Sequence, residues 1–325
     1  MLTLDQYLQR VNHAIKAIHY PQSPANLYAP IAYTMSLGGK RIRPVLVLMA
    51  CDAMGGNIEQ AMKCAVGLEL FHNFTLLHDD VMDNADVRRG RPTVHRKWNS
   101  NVAILSGDAM LTMAAQHIAQ VEPCKQEAIN ALFNRTAIEI YEGQQHDMDF
   151  EQMSNVTVEQ YIEMIRLKTS VLLGCACKMG AIVAGASEQD AQALYTMGEN
   201  LGLAFQLQDD LLDVWGNEST FGKEIGGDIM NNKKTFLLIG ALEQAQGDDA
   251  TQLQYWLKQG NEAPRDEKVK AVTAIYNSLQ LRAQAEQAIA RYTAIALNAL
   301  DQAKLSAEGK EAFTTFCNSL VGRNH

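Results

Sequence analysis

Seven prolines, six cysteines and 7% aromatic residues in a chain of 325 leave several architectures out. No Pro/Gly/Ser-rich linker divides the chain, so a single domain over 1–325 is expected, although the length alone would allow two. Six cysteines are too few for a disulfide framework at this length. Cys175 and Cys177 are spaced C-x-C, with no second pair to complete a zinc site. All six are expected to be reduced, mostly buried thiols of a cytoplasmic protein. Positive charge is short as well: 28 Lys and Arg against 37 Asp and Glu give −9, which argues against nucleic acid and anionic membrane surfaces. The longest apolar run, Val171–Ala186, contains Lys178 and falls below the roughly 20 residues that span a bilayer, so no stable membrane insertion is expected. Met1–Arg10 is polar and mixed, and reads as no signal peptide.

What is present is helical periodicity, with 47% hydrophobic residues, too many for disorder. Helices are expected over Leu4–His19, Asn26–Leu37, Val45 to about Met54, Ile58–Asp86, Asn101–Gln120 and Lys125–Phe150. Another starts at Thr157, with a T-x-x-Q capping box to Gln160, and a long one runs from Ser187 to Trp215. A polar loop, Asn217–Lys234, precedes three or four C-terminal helices. No strand is convincing. The class is all-α.

Two carboxylate clusters stand out on apolar helices: DDVMD at Asp79, Asp80 and Asp83, and DDLLD at Asp209, Asp210 and Asp213. On an ideal helix the first and last of each set lie about 40° apart, with the middle one beside them. Three carboxylates within a turn repel one another unless cations intervene. Magnesium takes a few carboxylate oxygens and completes its octahedron with water and phosphate, so metal ions on a diphosphate would satisfy both clusters. The competing reading, a solvated acidic helix end, is natural for one cluster and strained for two.

Basic groups accompany them. Lys40, Arg41 and Arg43 beside Gly38-Gly39, and Arg88-Arg89-Gly90-Arg91, have the composition of anion cradles, since arginine suits bidentate contact with phosphate. The alternative is ordinary charge complementing a helix C-terminus. Lys168-Thr169 lies in an apolar helix, where a lysine must be paired or snorkel. Lys223 and Lys233 flank the loop after the second cluster, either closing over phosphate or simply solvated. His72 shares the face of Asp79, where a histidine satisfied by a neighbour is the ordinary case.

Gly39–Pro44, DDVMD with Arg88–Thr93, Lys168-Thr169, and Phe205–Gln208 before DDLLD together resemble the trans-isoprenyl diphosphate synthases, the polyprenyl synthetase family. The resemblance covers about Ser36 to Thr235, in order. It implies an all-α single-domain bundle around a deep central cavity, usually a homodimer, that condenses isopentenyl diphosphate with an allylic diphosphate (dimethylallyl, geranyl or farnesyl). It implies three Mg²⁺ ions held by Asp79, Asp80, Asp83, Asp209, Asp210 and Asp213. Arg88, Lys168, Lys223 and Lys233 would grip the allylic diphosphate; Lys40, Arg43, His72 and Arg89 would bind isopentenyl diphosphate. Gln144 and Asp147 match a G-Q-x-x-D element, Thr169 and Gln206 would face the developing cation, and Arg323 would help close the site.

Family precedent places the floor of the cavity at Phe74, five residues before Asp79, with the small Thr75 beside it; ideal geometry puts Phe74 about 140° from Asp79. Gly198 and Gly202 leave side-chain space, or else close helix packing, on the face of Asp209. The pattern is geranylgeranyl-type, with farnesyl next and longer chains after it. Rival readings are a terpene cyclase, which should lack the second DD-x-x-D; a non-catalytic subunit of a heteromeric synthase, which should lack carboxylates; and a metal-stabilised structural bundle.

Overall fold

The computed structural model describes residues 1–216 and 225–322. Its class is all-α, apart from one short hairpin. Helix starts are set by side chains that accept from orphan N–H groups. The Thr3 box opens α1 (Leu4–Lys16), Asn57 opens α4 (Ile58–Met82), and Asn99 opens α6 (Ser100–Ile118). At α8 (Val158–Ile165) the expected box is present: Thr157 Oγ1 accepts from the Gln160 amide at 3.2 Å, and Gln160 Oε1 from the Thr157 amide at 2.9 Å. Between them lie α2 (Ala25–Ser36), α3 (Ile42–Ala53), α5 (Val94–Lys97) and α7 (Pro123–Gln152).

The chain divides into two compact units. The first comprises 1–134, 175–195 and 303–311. Its centre is α4, packed against α3 and α6 and buried on nearly all sides from Cys64 to Phe71. That all-round burial explains why its sequence carries no clean amphipathic stripe. Beside it, Arg41 enters α3 with a left-handed φ of 51° and carries its guanidinium onto Glu69; the two are 5% and 2% exposed.

The second unit comprises 135–174, 196–302 and 312–325. Its core gathers Tyr161 and Ile165 of α8, Leu203, Leu207 and Leu211 of α10 (Glu188–Trp215), and apolar residues of helices Phe236–Gln244 and Arg265–Ser278. Gly202 is where α10 passes α8's end: a Cβ there would lie 2.7 Å from Ser170 Cα. The space at Gly202 is therefore close packing, with no room left over. Lys268 is wholly buried, and its ammonium donates to the Met230 carbonyl (2.9 Å), Asn232 Oδ1 (2.7 Å) and the Gly260 carbonyl (2.9 Å).

Four expectations need correction. Helix α4 stops at Met82, not Asp86, because Asn84 turns left-handed at φ 51° and the Ala85 amide reaches back to the Asp80 carbonyl at 3.0 Å. The chain then forms a two-residue hairpin, β1 (Val87–Arg88) with β2 (Arg91–Pro92), where no strand was expected. Five helices, not three or four, follow Thr235: Phe236–Gln244, Gly247–Gln259, Arg265–Ser278, Leu281–Gln302 and Ala307–Val321. The apolar run at Val171 belongs to a continuous helical segment, Val158–Ala184, made of α8, a π turn at Arg166–Ser170 and α9 (Val171–Ala184). Its 27 residues are long and apolar enough to cross a membrane, but 78% of the most apolar window is buried in the protein. All six cysteines are free, and five are buried.

Candidate active site

The first cluster sits on the last turn of α4. Asp79 is partly exposed and Asp83 exposed, whereas Asp80 is 5% exposed and accepts from Arg88 Nε at 2.7 Å. Burial raises the Asp80 carboxyl above the usual range in spite of Arg88. The hairpin explains how Arg88 reaches back. Arg89 and Gly90 both take positive φ, 53° and 73°, the type I′ combination that folds two strands back on each other within two residues. Arg89 then lies over Gly39 and donates to the Gly38 carbonyl.

A second basic residue pair lies on α3 and α4. Arg43 Nη1 and His72 Nε2 are 3.2 Å apart. Burial pushes Arg43 down to about 10, with Arg89 adding to the effect, and pushes His72 well below its ordinary value, helped by Arg43, Arg89 and Arg88. His72 is therefore neutral at pH 7 and serves as an acceptor for Arg43. Arg43 Nε is buried without an acceptor. Such a gathering of cations, under-supplied with carboxylates, suits an anion. Lys40 is exposed in the preceding turn. Arg41, grouped with the cradle on sequence, is instead committed to Glu69 and to the Met35 carbonyl. A cleft in this unit is lined by Asn73, Leu77, Asp80, Arg88 and Arg89. Phe74 is 6% exposed, its ring 4.8 Å from His78 and 5.6 Å from Phe71, and Thr75 Oγ1 donates to the His72 carbonyl.

The second cluster lies at the end of α10. Asp209 is partly exposed, and Asp210 and Asp213 are buried. Asp210 accepts from the Tyr161 hydroxyl and from Gln206 Nε2, and burial pushes it up to about 7. Asp213 Oδ2 accepts from the Asp228 amide at 3.0 Å, which straps the short helix Gly227–Met230 to α10. Lys233 Nζ stands 3.7 Å from Asp228 Oδ1. Desolvation works against its charge, and Asp228, Asp210, Asp147 and Asp213 outweigh it, raising the pKa.

Lys168 and Thr169 fall in the π turn, where one extra residue per turn changes which side chains share a face. Lys168 Nζ pairs with Asp147 of α7 at 2.6 Å. Gly143 makes that pairing possible, since a Cβ there would lie 2.4 Å from the Lys168 backbone nitrogen. Asp228, Tyr161 and Gly143 were missed on sequence. The first follows two glycines in the loop and was legible; the others matter only through their neighbours. Lys223 and Arg323 lie outside the described residues.

Among the described residues no three His, Cys, Asp or Glu side chains already form a coordination shell. The donors nevertheless fit magnesium. They are hard carboxylate oxygens, and Asp80 and Asp210 carry the raised pKa values that a cation would reverse.

Comparison with known proteins agrees with this chemistry. The family model for polyprenyl synthetase matches residues 24–279. A geranylgeranyl diphosphate synthase of Methanosarcina mazei is 41% identical over 249 residues, 75% of this chain and 77% of that one. A crystal structure of a geranylgeranyl pyrophosphate synthase aligns over 100% of both chains, at 45% identity and a TM-score of 0.95. Another, from Corynebacterium glutamicum and complexed with isoprenyl diphosphate and magnesium, aligns over 99% of this chain and 100% of that one, at 26% identity and a TM-score of 0.87. The chain belongs to the polyprenyl synthetase family, the trans-prenyltransferases.

Proposed function

We propose that the protein condenses isopentenyl diphosphate with an allylic diphosphate to give a short all-trans prenyl diphosphate, geranylgeranyl diphosphate in particular. The observation that carries the reading is the pair of acidic clusters, each with one buried carboxylate tied to a protein donor and cationic side chains nearby. The geranylgeranyl diphosphate synthase of M. mazei favours the twenty-carbon product over farnesyl or longer ones.

Roles follow from the placements. Asp79, Asp83 and Asp209, the more exposed carboxylates, would hold Mg²⁺, three ions in all, with Asp80, Asp210 and Asp213 beside them. When bound, Mg²⁺ neutralises the diphosphate charge that builds as the allylic C–O bond breaks. Arg88, Lys168, Lys223 and Lys233 would bind that diphosphate, and Lys40, Arg43, His72 and Arg89 the isopentenyl diphosphate. Thr169 and Gln206 would face the allylic cation while the isopentenyl double bond attacks it. The released diphosphate takes the proton, because no side chain stands out as a dedicated base. We further propose one functional domain, supported by a family match that runs through both units, and a cytoplasmic homodimer. Ile104 and Leu105 on α6, 45% and 61% exposed, supply apolar surface for a second copy.

Incubation with Mg²⁺, labelled isopentenyl diphosphate and each allylic primer should give a twenty-carbon diphosphate. Absence of any elongated product from all primers would end this reading. Phe74→Ala, which removes the ring stacked on Phe71 and His78, should lengthen the product by at least one isoprene unit on mass analysis. An unchanged product length moves the floor elsewhere.

A pH dependence follows from Asp210. Its folded pKa of about 7 exceeds the roughly 4 of an unfolded carboxyl. The folded state then holds more protons between those values, so without metal its contribution to stability is complete below about 4 and is lost as pH rises through about 7. Mg²⁺ with inorganic diphosphate should therefore raise the melting temperature more at pH 8 than at pH 6. Equal gains would contradict this.

A further inference from the structure

Three side chains of the second unit form a chain of contacts. Asp210 is 3% exposed, and both of its oxygens are taken: Oδ2 accepts from the Tyr161 hydroxyl, and Oδ1 from Gln206 Nε2 at 3.2 Å. A carboxylate only accepts hydrogen bonds, so the Gln206 amide must turn its nitrogen to Asp210 and its carbonyl oxygen the other way. Without that carboxylate the two ends of the amide are nearly equivalent, and the group is free to flip. An amide turned the wrong way would present N–H dipoles to whatever its oxygen should face.

Tyr161 is placed to prevent this. It is 2% exposed within the apolar core of α8 and α10, and burial keeps its hydroxyl protonated and donating. The contact of Gly202 with Ser170 fixes how the two helices meet, so the hydroxyl has little freedom to leave Asp210.

We propose that Tyr161 is a positioning residue which, through Asp210, locks the Gln206 amide with its carbonyl oxygen presented to positive charge, making the site selective for a cationic allylic species over a neutral one. The proposal rests on the reading, given above, that Gln206 stands beside the ionising allylic carbon. Its physical basis is preorganisation: a dipole aimed in advance need not reorient when the charge appears.

The test is Tyr161→Phe, which keeps the ring and deletes the donor. Calorimetry with Mg²⁺ present would compare two inert ligands: an allylic diphosphate analogue with an ammonium nitrogen where charge develops, and its neutral thiolodiphosphate counterpart. The wild type should prefer the ammonium analogue, and Tyr161→Phe should lose about tenfold of that preference, the size expected for a polar contact to a charged group. Binding of the neutral analogue and the Mg²⁺ half-saturation should stay within about twofold, while kcat falls and KM holds. A variant that keeps the full preference overturns the proposal. So does one that loses both ligands equally or needs more Mg²⁺, since Tyr161 would then serve the fold or the metal. If the wild type binds neither analogue, the prenyl-transfer reading itself fails. If both proteins bind both analogues and prefer the charged one, only the role of Tyr161 fails.

Discussion

Replacing Asp79 or Asp209 by alanine should lower turnover by about a thousandfold or more, the scale seen when preorganised charge stabilisation is removed from an ionising reaction. Each is the partly exposed first aspartate of its cluster, while the middle one is buried and held by Arg88 or by Tyr161. Neither substitution should harm the fold. Removing one of three crowded carboxylates relieves repulsion within a helical turn, so the melting temperature without metal should hold or rise. Steady-state rates and thermal melts on the same preparations separate loss of chemistry from loss of structure. Near-normal turnover in either variant would refute the assignment, and a fall in both quantities would mark the aspartate as structural.

The second large effect concerns stability. Arg41→Met should cost about 3–5 kcal/mol, because it leaves the Glu69 carboxylate, 2% exposed, without its cation. Only Asn73 Nδ2, at 3.0 Å, still donates to the Glu69 side chain. Methionine occupies the left-handed backbone of position 41 with no more strain than arginine, so the effect isolates the charge. For a chain this long the loss should appear as a drop of order 10 °C in melting temperature. Arg41→Met with Glu69→Leu should recover part of it, since the pair is costly to break and cheap to replace whole. A single variant that melts like the wild type would remove the ion pair from the account of stability.

Much of the fold and the site was legible in the chain. Capping residues at Thr3 and Thr157 and the long apolar stretches gave the helices. The two acidic motifs marked the chemistry, because three carboxylates on one turn have few other uses. What stayed hidden depends on partners distant in sequence. Arg41 reads like its basic neighbours, and only the approach of Glu69, 28 residues away, assigns it to the core. Gly202 reads as open space until Ser170 is seen against it. The end of α4 was partly readable, since asparagine tolerates the left-handed conformation, but the acidic run to Asp86 continued the pattern past Asn84. Periodicity has no means of registering a π turn, because the residues on either side remain apolar and helical.

That extra residue sets an angular phase. Deleting one amino acid from Arg166–Ser170 would restore an unbroken α-helix and swing everything before it about 100° around the axis. Tyr161 would leave Asp210, and Lys168 would drift from Asp147, although the segment's make-up would hardly have changed. In this stretch the count of residues carries as much information as their identity.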